Sequence, residues 1–188
     1  MSKGKIRIIG GKWKGKKISF VLDKNIRPTP DRVKETLFNW LGPNLNQYNC
    51  LDLFAGTGAM GFESLSRGAE KVSFVELNKN LSSELRKTIT ELKCEDSSEV
   101  FNQDCLDWLE KNIPGKPFDL VFVDPPFNKK YVVKIFEKLN RVKFVDESST
   151  IYLECEKNLD INIIEDAYKV YKEKSFGDKS YRLLRKIT

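Results

Sequence analysis

The chain of 188 residues contains no histidine. That removes the imidazole base, and with it His-based nucleophilic triads and zinc sites of the usual Cys/His kinds. Four cysteines, Cys50, Cys94, Cys105 and Cys155, are scattered without any CxxC spacing. At this chain length disulfides are not needed, so the thiols are read as reduced and mostly buried. No apolar run approaches the ~18 residues of a membrane-spanning helix. The basic N-terminus also lacks the apolar stretch and small-residue cleavage site of a secretory signal. The default expectation is therefore a cytoplasmic monomer with no metal and no membrane partner. Internal repeats, low-complexity segments and long linkers are missing too.

What is present is a globular balance of 40% hydrophobic and 32% charged residues, on a chain long enough to bury roughly 70% of its unfolded surface. The charge is uneven. Residues 1–34 carry eleven Lys or Arg against Asp23 and Asp31, whereas the whole chain sums to +6, so the remainder is net acidic. A basic excess of this density around Trp13 is matched by phosphates. Lys12, Lys14, Lys16, Lys17, Arg27, Thr29 and Arg32 are the candidate nucleic-acid contacts. The alternative is a solvated basic edge that keeps exposed strands from pairing.

Residues 5–20, with Gly10-Gly11 between two apolar runs, suggest a small β-hairpin with a glycine turn. Thr29 is placed to cap a helix whose first residue is Pro30 and whose stripe is Val33, Leu37, Phe38 and Leu41, ended by Gly42-Pro43. From Cys50 onward strands and helices alternate. Strands are expected at Cys50–Phe54, Val72–Val75, Glu99–Asn102, Phe118–Val123 and Thr150–Leu153. Helices are expected through Phe62 and Leu65 up to Gly68, after an Asn78 cap (Leu81, Leu85, Ile89, Leu92), at Leu106–Leu109, and on Val132, Ile135, Phe136 and Leu139. The segments Tyr168–Phe176 and Ser180–Ile187 flank Gly177-Asp178 as an antiparallel hairpin. Such alternation predicts an α/β fold with a mostly parallel sheet and an antiparallel C-terminal edge. The expected organisation is a basic extension over 1–46 and a second domain over 47–188, with the boundary near Gln47.

Ligands of an open α/β sheet bind at the carboxyl ends of its strands. There, Gly56-Thr57-Gly58-Ala59-Met60-Gly61 fits GxGxxG between a strand and a helix, a loop that brings backbone amides close to a ligand. Asp52 stands just before it on the strand end that also carries Phe54. An anion there disfavours a pyrophosphate and favours a cation such as an amino acid's ammonium, which points from NAD toward S-adenosylmethionine. Glu76 ends the second strand, where a carboxylate accepts from ribose hydroxyls. Asp104 ends the third and can accept from an adenine amine, with the Cys105 backbone N–H facing a ring nitrogen. Asp52, Phe54, Gly56, Gly58, Glu76, Asp104 and Cys105 are thus the candidate cofactor residues. Met60 reads as core.

The fourth strand ends in Asp124-Pro125-Pro126-Phe127. Two prolines force a rigid turn, which holds a carboxylate and a ring at the sheet edge. A nucleobase's exocyclic amine is a poor nucleophile because its lone pair is delocalised into the ring. Hydrogen bonds from that amine to the Asp124 carboxylate and the Pro125 carbonyl favour its pyramidal form, and Phe127 offers a stacking face for the displaced base. Asp124, Pro125, Pro126 and Phe127 are the candidate catalytic residues. An adenine-N6 methyltransferase would use the same corner. An NAD-dependent oxidoreductase would leave it unexplained, and a non-catalytic RNA-binding protein would not turn over.

Asp52-Leu53-Phe54-Ala55-Gly56-Thr57-Gly58, Glu76, Asp104 and Asp124–Phe127 resemble the motifs of Rossmann-like S-adenosylmethionine-dependent amino-methyltransferases. Arg27-Pro28-Thr29-Pro30-Asp31-Arg32 through Asn39 resembles a narrower group, the RsmD-like family, which methylates N2 of a guanine in bacterial small-subunit rRNA. The likeness runs from about Ile6 to Arg185. It implies a seven-stranded sheet with an N-terminal hairpin extension, S-adenosylmethionine as cofactor and small-subunit rRNA or an assembled small subunit as partner. By the same analogy Arg27, Thr29 and Phe38 border the cofactor or substrate pocket.

Overall fold

A computed structural model describes residues 3–21, 29–126, 129–141, 143–159, 164 and 166–187. Two compact units form, Met1–Asp104 and Cys105–Thr188.

In the first unit, β1 (Lys3–Arg7) and β2 (Lys17–Val21) pair antiparallel, from Lys3 opposite Val21 to Arg7 opposite Lys17. Ile6, Ile8, Ile18 and Phe20 of this hairpin are buried, and β2 packs on α3 (Lys79–Leu92). The connection over 8–16 differs from the expected glycine turn. It closes through Ile8 N–H to Lys16 O (2.9 Å) and Gly15 N–H to Ile8 O (2.8 Å), and Gly11–Trp13 form a 3-10 turn within it. Gly10 and Gly11 instead permit a close approach to a helix of the same unit.

Helix α1 (Asp31–Leu41) buries Val33, Leu37 and Phe38 as its periodicity requires, and also Lys34. Lys34 pairs with Asp31 (3.0 Å) and donates to the Arg7 carbonyl, while Arg7 pairs with Asp31 (2.9 Å). The hairpin is thereby tied to α1. Pro30, not Thr29, occupies the cap position, with ψ of 147° and no side-chain cap. Pro30 is itself extended, so helical backbone begins one residue later than expected, at Asp31, and Thr29 falls one position outside the cap. The Pro30 carbonyl instead accepts from Val33 and Lys34 N–H.

Strands β3 (Asn49–Asp52), β4 (Lys71–Val75) and β5 (Ser98–Phe101) are parallel, β3 to β4 and β4 to β5. Helix α2 (Ala59–Ser66) follows β3, and α3 follows β4. Leu81, Leu85, Ile89 and Leu92 are all buried on α3. Asn78 caps that helix as expected, accepting from Asn80 N–H (2.9 Å) and Leu81 N–H (3.3 Å). Gly68, with φ of 99°, lies one residue past the α2 cap at Arg67.

The second unit contains α4 (Cys105–Lys111), β6 (Leu120–Val123), α5 (Lys129–Arg141), β7 (Thr150–Glu156), β8 (Tyr168–Phe176) and β9 (Lys179–Lys186). β6 and β7 are parallel, with Val123 opposite Leu153; β9 runs antiparallel to both β7 and β8. Gly177, at φ of 60°, makes the tight turn between β8 and β9. All four residues of β6 are buried, which is why that strand reads as a continuous apolar run. The full strand order is β5-β4-β3-β6-β7-β9-β8, a seven-stranded, mostly parallel sheet with antiparallel C-terminal strands. No described helix is long and apolar enough to cross a membrane.

Candidate functional site

The glycine loop joins β3 to α2 in the first unit. Its strand ends at Asp52, two residues earlier than expected, because Leu53 and Phe54 already turn. The three glycines of the motif do two different jobs. A Cβ at Gly58 (φ 76°) would fall 2.4 Å from the Phe62 ring and 2.6 Å from Leu85, and one at Gly61 would fall 2.1 Å from the Phe74 ring. Those two glycines allow helix and strand to pack, and Met60 beside them is buried as expected. At Gly56 (φ 52°) the nearest atom to such a Cβ is the Phe54 carbonyl oxygen at 3.8 Å. This glycine opens space instead.

Asp52 is only 4% exposed. Its carboxylate accepts from the backbone N–H groups of Phe54 and Gly61. Burial, reinforced by the neighbouring charge of Glu76, nonetheless pushes its pKa up to about 7. The loop is thus organised around a buried acid whose surroundings favour the protonated form.

Glu76 gathers the adjoining strand ends. Its Oε2 accepts from Gly56 N–H and its Oε1 from Asn78 N–H, each at 2.7 Å. Asn102 donates through Nδ2 to the carbonyls of Glu76 and Leu77, both at 2.9 Å, which fixes the backbone on either side. Leu77 is 67% exposed, an apolar side chain held in solvent at the rim. Sequence reasoning missed Leu77, Asn78 and Asn102 as parts of this edge. The available signal was an apolar residue directly after a strand-terminal carboxylate. Phe54 and Asp104 are partly exposed. Asp52, Gly56 and Glu76 are brought together by direct bonds or shared electrostatics.

In the second unit, Cys105 is buried at the start of α4 with its Sγ 3.8 Å from the Tyr131 hydroxyl. Buried β6 delivers Asp124 partly exposed, Pro125 buried and Pro126 exposed. Phe127 lies outside the described residues, as does Arg27. Beside the corner stands a polar group that sequence reasoning did not pick out. The buried Tyr152 donates to Glu154 Oε2 at 3.1 Å, and Lys179 donates to Glu154 Oε1. The Tyr152 ring meets Phe122 at 6.1 Å. Burial first, then the charges of Glu154 and Asp124, hold the Tyr152 phenol well above its ordinary pKa. Parallel register and period-2 alternation put Asp124 and Glu154 on one face, a signal visible only once Val123 is paired with Leu153.

Lys12, Lys14, Lys16 and Lys17 are exposed on the hairpin, and the Lys12 ammonium lies 4.4 Å from the Trp13 ring centre. Arg32 is exposed and Thr29 partly so. Phe38 is buried in the core, with the Arg67 guanidinium 4.7 Å from its ring centre. Among the described residues no group of three or more His, Cys, Asp or Glu side chains is arranged to hold a metal ion.

The chain is 44% identical to the Ribosomal RNA small subunit methyltransferase D of Haemophilus influenzae, over 97% of this chain and 94% of that protein. It is 37% identical to the protein of the same name from Escherichia coli strain K12, over 97% and 91%. The solved structure of the Escherichia coli protein yhhF superposes with a TM-score of 0.84 at 37% identity, covering 97% of this chain and 98% of that one. The family model described as Conserved hypothetical protein 95 matches residues 6–185, and the chain therefore belongs to that family, the RsmD family.

Proposed function

We propose that the protein transfers a methyl group from S-adenosylmethionine to the exocyclic N2 of a guanine in small-subunit ribosomal RNA. The observation that carries this is the 44% identity, over nearly the full length of both chains, to a ribosomal RNA small subunit methyltransferase D. The residues of the glycine loop fit such a donor. A buried acid with a pKa raised to about 7 is stabilised in its ionised form by a cationic ligand group. The open side of Gly56 leaves room for close backbone approach, and exposed Leu77 offers an apolar face. When bound, S-adenosylmethionine supplies an electrophilic methyl group on a sulfonium.

The remaining work falls to the chain. Asp52, Phe54, Gly56 and Gly58 cradle the amino-acid end, Glu76 accepts from the ribose hydroxyls, and Asp104 with the Cys105 N–H reads the adenine edge. Asp124 and the Pro125 carbonyl accept from the guanine amine, fix its direction and favour its nucleophilic form. Pro126 makes their turn rigid and Phe127 stacks on the base. Methyl transfer to such an amine depends on alignment more than on a strong base. Residues 1–46 serve as the RNA-gripping extension and 47–188 as the methyltransferase domain. In the extension, Lys12, Lys14, Lys16 and Lys17 face phosphates, together with Arg27, Thr29 and Arg32.

The test is methylation of small subunits from cells lacking this protein, using labelled S-adenosylmethionine, followed by nucleoside mass spectrometry. N2-methylguanosine is expected. N6-methyladenosine would replace the guanine assignment, and no label transfer would overturn the activity.

A further inference from the structure

We propose that Glu63, Ser66 and Arg67, at the C-terminal end of α2, are positioning residues for RNA that hold the basic β1–β2 connection as a preformed arm. The inference rests on reading that arm as the RNA surface.

Glu63 is fully buried, which is costly for a carboxylate unless it is paired. Neither of its oxygens is spent on its own helix backbone. Oε2 accepts from Ile9 N–H at 2.8 Å, and Oε1 accepts from Arg67 Nε at 2.8 Å. Ser66 Oγ accepts from Trp13 N–H at 2.9 Å and donates to the Gly10 carbonyl at 2.6 Å. The arm therefore meets α2 through backbone groups from Ile9 to Trp13, which leaves the lysine side chains pointing elsewhere and exposed.

The two adjacent glycines have their explanation here. A Cβ at Gly11 would lie 1.8 Å from the Ser66 carbonyl oxygen. One at Gly10 would lie 2.3 Å from the Arg67 guanidinium, which is itself held by Glu63 and by the Phe38 ring. Backbone carbonyls cannot swing aside, so Gly11 marks a contact that any side chain would lift off. Ordering a loop residue costs conformational entropy. A docked arm meets that cost in folding, so RNA binding does not.

The comparison that isolates the dock is Gly11→Ala against Gly15→Ala. Both glycines lie in the same connection with positive φ, 71° and 86°, but nothing stands within 4 Å of a Cβ at Gly15. Backbone strain is common to both variants, and only Gly11→Ala strikes α2. Steady-state methylation of small ribosomal subunits purified from cells lacking this protein reads the difference. Gly11→Ala is expected to raise KM for the subunits by roughly tenfold, with kcat and S-adenosylmethionine affinity within about twofold. Gly15→Ala should stay within about twofold in all three. Ser66→Ala, which adds no bulk and serves as the second variant, should raise KM in the same direction by a smaller factor. Equal KM values for the two glycine variants, or a Gly11→Ala loss that falls on kcat, overturn the proposal.

A variant with Lys12, Lys14, Lys16 and Lys17 all changed to Ala separates the two layers. Each lysine–phosphate pairing removed should reduce the slope of log affinity against log salt by about 0.7–0.9. If affinity and slope are unchanged, the RNA reading of the arm fails. If both fall while Gly11→Ala and Ser66→Ala are silent, the arm binds RNA and only the role of α2 is wrong.

Discussion

Asp52 and Asp124 both end apolar strands, β3 and β6, on turns of opposite kind. A glycine loop folds back over Asp52, leaves it 4% exposed and donates two backbone N–H groups to it. Two prolines carry the chain away from Asp124, which stays partly exposed. Glycine lets a backbone close around its carboxylate, whereas proline, having no N–H and a fixed φ, can only present one. Similar chemistry in sequence thus becomes a buried acid in one unit and a partly exposed carboxylate in the other. In the function proposed, the second holds a neutral amine in place and the first responds to a cation.

The largest effect that would break this contrast is expected at the partly exposed carboxylate. Asp124→Ala should lower kcat by roughly 10²–10³-fold, the scale of deleting one preorganised hydrogen-bonding group at the reacting centre. Calorimetry should find S-adenosylmethionine binding largely intact. A parallel loss of cofactor affinity would mean that Asp124 serves the loop's task as well.

At the buried carboxylate the expected signature is pH dependence. Because the folded pKa of Asp52 is raised to about 7, the native protein keeps a proton that the unfolded chain loses near the ordinary carboxylate range. Its contribution to stability is fully present below that range, is lost as pH rises to about 7, and is flat above. A cation bound beside it releases the proton, so S-adenosylmethionine affinity should rise with pH by up to about tenfold per unit until about 7. Asp52→Asn should flatten both the affinity profile and the denaturation profile. A wild-type affinity independent of pH between 5.5 and 7.5, roughly the range in which such a group titrates, would remove Asp52 from the cofactor.

A smaller effect sharpens the division among the loop glycines. Gly61→Ala, driven into Phe74, should cost about 1–3 kcal/mol in denaturant unfolding. Gly56→Ala meets open space and should cost about 1–2 kcal/mol through its positive φ alone, with the functional loss appearing in cofactor affinity. Equal losses of stability and affinity in the two variants would erase the distinction between packing and opening.

Much of the fold can be read along the chain. The stripes on α3 and α5 are buried as their periodicity demands, as are Val33, Leu37 and Phe38 on α1, where Leu41 is only half-buried; Asn78 caps α3, and from Cys50 onward the strand ends fall within two residues of their expected places except where β7 runs on to Glu156. The misplacements have local causes that compete with propensity. Helical backbone begins at Asp31 rather than Pro30, so the cap position falls on Pro30 and Thr29 lies one residue outside it. Gly10 and Gly11 look like a turn because glycine is the usual turn residue, yet here they allow contact with α2. Tyr152 and Glu154 escaped notice because a residue's neighbour across a sheet depends on register, and register is set by pairing over long separations.

The sequence by itself determined the alternation of strands and helices, the carboxylates and glycines at strand ends, and a basic arm at the N-terminus. Each follows from periodicity, backbone preference or charge within a short window. Only the tertiary structure decided that Asp52 is buried beside Glu76, that Tyr152 and Glu154 stand beside Asp124, and that the arm is docked on Glu63 and Ser66. Burial, proton affinity and docking depend on which distant groups meet, and a local window holds no record of that.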